Sequence, residues 1–418
     1  MADSDTDEVA QGIPVLAPRD GLPELIIDLD GLAAAAAALA AGSGPVAFDA
    51  ERASGFKYSS RAYLVQIRRA GSGTFLIDPI QFSNLEVIQS SLLGVDWILH
   101  AASQDLVCLR EIGLFPTANL FDTEVAGRLL GCARVGLGPL LLAELGYSLA
   151  KEHSAADWST RPLPEQWLNY AALDVEFLIE LWDVMCAKLT EANKYELALQ
   201  EFRHIRDNTN PIVRSDPWRR TSGLHSLRKP LELGVVRELW HTRDQIAQSE
   251  DIAPGRILPD SIIVEIASQV IENTGDISEL PALQGRLTRR NRRHWVAAVE
   301  RALSLAEIDL PATRIKSTLP PPPRTWQERN PKAFAQLEQV RHAISALSEA
   351  RQIPIENLIT PDVVRRILWQ PPDSEAELKE LLDEFSVRTW QQELIEPILR
   401  QALFEPLITT EPAPVTEL

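Results

Sequence analysis

The pattern of hydrophobic and polar positions divides the chain into an alternating first half and a helical second half. From about residue 25 to about residue 205, short apolar runs bounded by turn residues alternate with amphipathic stretches. Their order is strand, hairpin, helix, strand, helix, strand, helix, and the βα units among them imply parallel pairing. The fold class predicted for this half is therefore mixed α/β.

Five strands make up the predicted sheet. They cover residues 46–50, 62–68, 74–77, 97–99 and 119–121. A shorter run, Leu25 to Asp28, fits an edge strand, and the glycine-rich turn at 70–73 makes a hairpin of the second and third strands. Pro164 opens a long amphipathic helix that we expect to run to about Leu189.

The second half contains an internal repeat at a spacing of about 101 residues. In each copy an amphipathic helix leads through a proline-containing turn to a Pro-Asp helix start. The first turn covers Ile252 to Asp260, and the second, which is one residue longer, covers Ile353 to Asp362. The repeat predicts two small helical modules, and the run Pro320 to Pro323 predicts a stiff linker between them.

These patterns divide the chain into six segments. They are a disordered N-terminus (1–20), an α/β domain (21–205), a first helical domain (206–310), a proline-rich linker (311–325), a second helical domain (326–408) and a disordered tail (409–418).

The composition is typical of a soluble globular protein, and further features of the chain predict a location in the cytoplasm. Of 418 residues, 45% are hydrophobic and 24% charged. No apolar run reaches the roughly 18 residues that span a bilayer, and the acidic N-terminus does not have the features of a signal peptide. The three cysteines are far apart and odd in number, which fits neither a disulfide framework nor a zinc site. Together these features predict a reducing, intracellular setting.

The charge distribution allows a local contact with nucleic acid. A net charge of −18 argues against a protein whose whole surface coats nucleic acid. Basic residues are nevertheless concentrated in 203–230, with seven Lys and Arg against two Asp, and in 286–293, with five Arg and no acid. Solvated surface is the simpler interpretation of either run, and a phosphate-binding surface is the alternative.

Several acidic side chains fall where predicted strands end. On the strand 46–51, Asp49 and Glu51 point to the same side because side chains alternate. Asp105 and Asp122 follow the next strands of the chain. Each of these could simply cap a helix, but together they predict a shared site, because clustered carboxylates need a cation such as a divalent metal ion.

A predicted helix adds two more candidate residues. Tyr170 and Asp174 are four positions apart, so both lie on one face. Taken singly, Asp174 could be a solvated helix residue and Tyr170 an ordinary packing residue.

These segments resemble the three motifs of the DEDD 3′–5′ exonucleases, and in particular the ribonuclease D family. The matching stretches are Phe48–Glu51, His100–Leu106 with Phe121–Thr123 beyond it, Asp157–Leu163 and Tyr170–Asp174. The spacing of Tyr170 and Asp174 is similar to the tyrosine branch, so neither His100 nor His153 is expected to be a catalytic base. We expect His100 to pack or form a hydrogen bond near its strand end. The two helical repeats resemble tandem HRDC modules.

The resemblance implies a fold and a site. The fold would be RNase H-like, a mixed sheet of about five strands with flanking helices, followed by two small HRDC-like helical bundles. Two divalent metal ions, Mg²⁺ or Mn²⁺, roughly 4 Å apart, would be held by four carboxylates: Asp49, Glu51, Asp105 and Asp174. Asp49 would bridge both ions, Glu51 and Asp174 would complete the site of the ion that holds the water, and Asp105 would act on the second ion through waters.

The remaining roles follow from the same resemblance. Tyr170 would orient the attacking water, and Asp122 lies outside the defining set with a secondary role. Phosphate contacts are expected from the arginine run of the first helical domain: Arg289, Arg290, Arg292 and Arg293.

The function that the resemblance implies is a metal-dependent exoribonuclease acting on RNA 3′ ends. It would act in transfer-RNA 3′ processing or in RNA turnover, with transfer-RNA precursors as its substrates, and with no membrane and no obligate protein partner. A 3′–5′ DNA exonuclease in repair and a nuclease-inactive adaptor that binds nucleic acid are the alternatives. A purely structural helical scaffold is the remotest, because it would leave the acidic cluster of the first half without a purpose.

Overall fold

The structure, a computed structural model, describes residues 12–149, 155–211, 214–272, 276–314 and 319–405. The strands of the described residues all lie in the first half of the chain. They are β1 Ile13–Val15, β2 Leu25–Ile26, β3 Ser43–Arg52, β4 Ala62–Ala70, β5 Gly73–Ile77, β6 Trp97–Leu99, β7 Leu120–Asp122 and β8 Tyr147–Leu149. The second half is helical, as predicted.

Six of these strands form one mixed sheet in the order β2-β5-β4-β3-β6-β7. The strands β3, β4 and β5 are antiparallel neighbours, whereas β3, β6 and β7 run parallel. The predicted mixed sheet is confirmed, but it has one strand more than the five expected. The sixth strand is the two-residue β2, which pairs with the edge of β5 and lies within the run Leu25 to Asp28 that the sequence pattern assigned to an edge strand.

Eight helices flank the strands in the described part of the first domain. They are α1 Leu29–Ala41, α2 Glu86–Ser91, α3 Leu106–Glu111, α4 Thr123–Leu129, α5 Leu137–Leu145, α6 Glu165–Glu176, α7 Leu178–Glu191 and α8 Tyr195–Asn208. The single helix predicted over 164–189 is therefore two helices, with a break at Phe177. The break is stabilised by packing, because the Phe177 ring is buried and stacks on Tyr147 at 4.4 Å.

Residues 12–20 are ordered, and the prediction of disorder over 1–20 was wrong for them. The strand β1 pairs in parallel with β8. Arg19 donates hydrogen bonds of 2.6 Å to the carboxylates of Glu176 and Glu180. The residues that make these contacts are far apart in the sequence, so no local sequence pattern predicts the contacts. Residues 1–11 and the tail predicted over 409–418 lie outside the described residues.

The helical half shows the predicted repeat. Its first part contains α9 Pro230–Glu250, α10 Pro254–Ile257, α11 Asp260–Glu272, α12 Pro281–Gln284, α13 Arg286–Arg289 and α14 Arg292–Leu303. Its second part contains α15 Trp326–Arg329, α16 Pro331–Arg351, α17 Ile355–Leu358, α18 Pro361–Trp369, α19 Glu375–Glu384 and α20 Thr389–Phe404. The helices α9 and α16 both have 21 residues, and each ends at a left-handed residue, Asp251 or Gln352. Among the described helices, none is both long and apolar enough to cross a membrane.

Both helical parts dock on the α/β domain. The first contacts the loop after β3, where Tyr58 donates to Asp244 at 3.1 Å and the Ala253 amide donates to the Phe56 carbonyl at 2.9 Å. The second contacts α8, where Glu201 accepts hydrogen bonds from the side chains of Arg388 and Trp390. The loop contacted by the first part begins directly after the predicted carboxylate strand.

A buried ion pair fixes the entry to α6. The Arg161 guanidinium donates to both oxygens of Asp78, at 2.7 and 2.8 Å, and Asp78 is only 1% exposed. Arg161 also donates to the backbone carbonyls of Tyr63, Trp158 and Thr160. The segment 157–163 thus has a structural role, because it ties the start of α6 to the sheet.

We expect the substitution Arg161→Met to lower the free energy of unfolding by about 3 kcal/mol or more, because it leaves the buried Asp78 carboxylate without its cation. Chemical denaturation measures this change. The double variant Asp78→Asn/Arg161→Met should recover part of the loss. The matched control Arg400→Met, which breaks an exposed 3.7 Å pair with Glu375, should cost less than about 1 kcal/mol. An equal loss in both single variants would contradict this interpretation.

Candidate active site

Carboxylates from three separate stretches of the chain meet at one cavity of about 270 Å³. Asp49 and Glu51 lie on β3, Asp105 lies in the turn before α3, and Tyr170 and Asp174 lie on α6. The cavity is also lined by Ala50, Arg52, His100, Ala101, Gln104 and Leu137. The structure therefore brings together all five residues for which catalytic roles were predicted.

The strand β3 holds its two carboxylates rigidly. It pairs with β4 on one side and β6 on the other. Phe48 is fully buried and its ring stacks on Trp97 at 3.8 Å. Because side chains alternate along a strand, the fixed position of Phe48 points Asp49 away from this apolar layer, and Glu51 follows on the same side.

Three of the carboxylates form a ligand group suited to a metal ion. One oxygen each from Asp49, Glu51 and Asp174 all lie within 4.8 Å of one another. Among the described residues, no other group of three or more His, Cys, Asp or Glu side chains is this close. An all-oxygen set of this kind suits hard divalent cations.

Asp105 lies in the same cavity but outside this close group. It is 6% exposed, and its carboxylate is 3.6 Å from the Arg52 guanidinium. Asp105 thus lies at the edge of the cluster, beside the cationic side chain of the site.

Burial and mutual repulsion disfavour ionisation of the cluster. Burial raises the pKa of Asp49 to about 6. Burial, and then the neighbouring charges of Asp49 and Asp174, raise the pKa of Glu51 to about 10. Burial and the charge of Asp49 also raise the pKa values of Asp105 and Asp174. A divalent cation would relieve this repulsion, so the electrostatics and the donor chemistry both fit a metal site.

Tyr170 and His100 each form a side-chain hydrogen bond within or beside the site. The Tyr170 hydroxyl donates to Asp174, and burial together with the Asp174 charge raises the pKa of the phenol above its usual value. The Nδ1 atom of His100 is 2.9 Å from Thr123 Oγ1, and burial lowers the pKa of the imidazole to about 4. His100 therefore forms a hydrogen bond near its strand end, as expected. His153 lies outside the described residues.

Asp122 is a backbone anchor next to the site. Its carboxylate accepts hydrogen bonds from four amides, those of Ala101, Ala102, Glu124 and Val125. The first two belong to the turn that leads to Asp105, in which Ala101 has a left-handed φ of 56°. Asp122 thus caps α4 and also fixes the turn that leads to Asp105. Its sequence position predicts the helix cap but not the contact with the turn.

The cavity also contains a residue that the sequence interpretation missed. Arg52 directly follows Glu51, so strict alternation along β3 would point it away from the carboxylates. A register shift between Glu51 and Arg52 changes the alternation at this point. The sequence shows only that Arg52 is next to a predicted ligand. The register shift that brings its side chain to the cavity depends on pairing with β4, which the sequence alone does not show.

The arginine run of the first helical domain lies apart from the cavity. Arg289, Arg290 and Arg293 are exposed. Arg290 pairs with Glu250 at 3.0 Å, and Arg292 donates to the Ser278 carbonyl. Contacts between this run and phosphates remain a prediction.

Three family models match the chain. A 3′–5′ exonuclease model matches residues 23–190, an HRDC domain model matches 232–299, and a model described as a 3′ to 5′ exonuclease C-terminal domain matches 319–403. The first covers every carboxylate of the cavity. The third falls on the second helical part, for which the sequence predicts an HRDC-like module, whereas the HRDC model itself matches the first helical part.

Curated relatives include ribonuclease D proteins and larger exonucleases. Ribonuclease D of Bartonella henselae is 28% identical over 57% of this chain and 60% of its own length, and that of Desulfotalea psychrophila is 26% identical over 68% and 75%. The exosome complex exonuclease RRP6 of Saccharomyces cerevisiae is 26% identical over 56% of this chain and 32% of its own length. The chain spans 27% to 60% of the first four relatives' lengths.

Solved structures share the architecture over nearly the whole chain. A protein from Bifidobacterium adolescentis is 34% identical, with a TM-score of 0.84 over 94% of this chain and 99% of its own. Escherichia coli RNase D has the same fold at 23% identity, with a TM-score of 0.67 over 91% and 98%.

We expect the metal-free wild-type protein to lose stability relative to a Glu51→Gln variant as pH rises from about 5 to about 8. The raised pKa values of Asp49 and Glu51 mean that the folded state keeps protons which the unfolded state has released. Their stabilising effect is complete below the ordinary carboxyl pKa values and is lost as pH rises through the raised ones. Denaturation in chelator at both pH values measures this difference.

Added Mg²⁺ or Mn²⁺ should restore stability to the wild-type protein at pH 8, because a ligand of the folded state alone stabilises it. The Glu51→Gln variant should gain less. The opposite result would be a wild-type stability that follows the same pH dependence as that of Glu51→Gln and does not change when either ion is added. It would show that repulsion among the carboxylates does not destabilise the folded protein.

Proposed function

Because the chain is ribonuclease D-like, with a 3′–5′ exonuclease domain and an HRDC domain behind it, we propose that it is a metal-dependent 3′–5′ exoribonuclease of the cytoplasm. The observation that carries the proposal is the convergence of Asp49, Glu51 and Asp174 beside Tyr170, within the stretch that matches the exonuclease model. A carboxylate cluster of this kind is suited to phosphodiester hydrolysis.

The four carboxylates would hold two divalent ions, Mg²⁺ or Mn²⁺. Asp49 would contact both, Glu51 and Asp174 would share one of them, and Asp105 would contribute to the second. The 4.8 Å grouping of the first three residues, with Asp105 outside it, supports this division. When bound, the ions would supply activation of a water and neutralisation of charge on the leaving oxygen.

Tyr170 would orient the water rather than deprotonate it. The raised pKa keeps its phenol protonated at neutral pH, so the hydroxyl is available for hydrogen bonds but not as a base. In the reaction, the water oxygen bonds to phosphorus while the bond from phosphorus to the 3′ oxygen of the preceding nucleotide breaks. That oxygen takes up a proton, and the terminal nucleotide leaves with its 5′ phosphate.

RNA is the proposed substrate, with transfer-RNA precursors the most specific choice. The names of the relatives support this class, since they include ribonuclease D from two bacteria and an exosome exonuclease. The exposed arginines of the first helical domain would contact phosphates without reading sequence.

We expect Asp49→Ala to reduce degradation of a 5′-labelled single-stranded RNA by at least about 10³-fold, because the residue shared by both ions is lost. RNA binding should change little, and the variant should still fold. Asp30→Ala, at an exposed position in the first turn of α1, is the matched control. Degradation by the Asp49→Ala protein at the wild-type rate would refute the metal scheme.

The same assay on RNA and DNA strands of equal sequence separates the candidate functions. A preference for RNA supports the proposal, and a preference for DNA supports a DNA exonuclease. Binding without degradation in either ion indicates an adaptor.

We expect the triple variant Arg289→Gln/Arg290→Gln/Arg293→Gln to bind RNA more weakly. The slope of the logarithm of the binding constant against the logarithm of the salt concentration should become shallower. The expected change is about one unit for each phosphate that the replaced arginines no longer neutralise. Arg292 is left intact because it bonds to the backbone. A charge-matched control replaces Arg314, Arg324 and Arg329, which are also exposed. Equal salt slopes for the two triple variants would mean that the first run is ordinary solvated surface.

A further inference from the structure

Arg52 is the one arginine or lysine among the described residues that line the cavity. Its side chain is 28% exposed, and its Nη2 atom is 3.6 Å from Asp105. This distance is longer than a hydrogen bond, and Arg52 Nε is buried without a hydrogen-bond partner in the described structure. By contrast, the Arg161 guanidinium is fully engaged by Asp78 and three carbonyls. Arg52 thus has N–H groups within the site that can donate hydrogen bonds to a ligand.

A local irregularity of the sheet places Arg52 there. Glu51 is paired with Leu64 on β4, but Arg52 is paired with Ala62, so the register skips Tyr63. An irregularity of this kind increases the local twist and re-aims a side chain. Glu51 and Arg52 consequently both line the cavity, although they are neighbours on one strand.

We propose that Arg52 is a catalytic residue that binds a non-bridging oxygen of the phosphodiester undergoing hydrolysis. This inference rests on the proposed nuclease function and adds a residue to it. Four carboxylates and two divalent ions sum to no net charge, whereas the phosphodiester brings one negative charge and gains more as it reacts. Arg52 supplies the cation that this balance lacks, and its planar fork of donors suits phosphate oxygens.

The first test compares Arg52→Met and Arg52→Lys with the wild-type protein on single-stranded RNA at saturating Mg²⁺ or Mn²⁺. Removing one donor to developing negative charge typically costs about 10²-fold, and we expect that loss in kcat/KM for Arg52→Met. Arg52→Lys should recover part of it, since the charge remains without the fork. Arg400→Met, which breaks a 3.7 Å pair with Glu375 far along the chain, is the control and should stay within about twofold.

A second readout does not depend on turnover. Two oligonucleotides differ only in the terminal linkage, which is a charged phosphorothioate in one and an uncharged methylphosphonate in the other. The wild-type protein should bind the charged one more tightly by about tenfold, as expected for a charge-assisted hydrogen bond, and Arg52→Met should show a clearly smaller preference. Mn²⁺ titration should show that Arg52→Met binds the ion at least as tightly as the wild-type protein, because a competing cation has left Asp105.

Three results would overturn the inference. They are Arg52→Met activity within threefold of wild type, an unchanged preference for the charged linkage, or weakened Mn²⁺ binding that accounts for the whole loss of activity. The last would make Arg52 a support for the carboxylates instead. If the wild-type protein degrades neither RNA nor DNA, the nuclease proposal fails, while the linkage comparison still decides whether Arg52 binds a phosphate.

Discussion

Repulsion among carboxylates in a buried pocket is the constraint on which this structure depends. Asp49 cannot move away, because β3 is paired on both sides and Phe48 is stacked beneath it. Asp174 cannot retreat either, since the start of α6 is tied to the sheet through Arg161 and Asp78. The rigid surroundings therefore keep like charges together at a cost in stability. That cost is the physical reason to expect cations in the site. The elements that hold the carboxylates together are therefore as important for the site as the carboxylates themselves.

The sequence predicted those parts of the site that local geometry determines. Alternation on one strand paired Asp49 with Glu51, and a four-residue spacing paired Tyr170 with Asp174. The features that sequence reasoning missed depend on contacts between distant segments. Arg52 turns inward because of its register against β4. The helix break at Phe177 and the order of residues 12–20 likewise arise from tertiary packing, for which a single sequence gives no period.

The internal repeat shows one local structure used in two ways. The helices α9 and α16 end at equivalent left-handed residues, Asp251 and Gln352. The Asp251 carboxylate accepts hydrogen bonds from Ser59 and Tyr63, in and next to the loop that follows the carboxylate strand. The Gln352 carbonyl instead lies against Gly131, where an added Cβ atom would be only 2.9 Å away. Similar turns thus anchor the two modules to different surfaces of the same domain, one of them adjoining the cavity.

The order of residues 12–20 matters for anyone who produces this protein in shortened form. An expression boundary at residue 21, where the regular pattern starts, would discard the Arg19 side chain that reaches Glu176. The Glu176 carboxylate is fully enclosed, and Arg68, at 3.2 Å, would be left as its cation. Glu176 ends the helix that carries Tyr170 and Asp174. A truncation at residue 21 would thus loosen the far end of that helix, and the resulting loss of stability would also disturb the position of Tyr170 and Asp174.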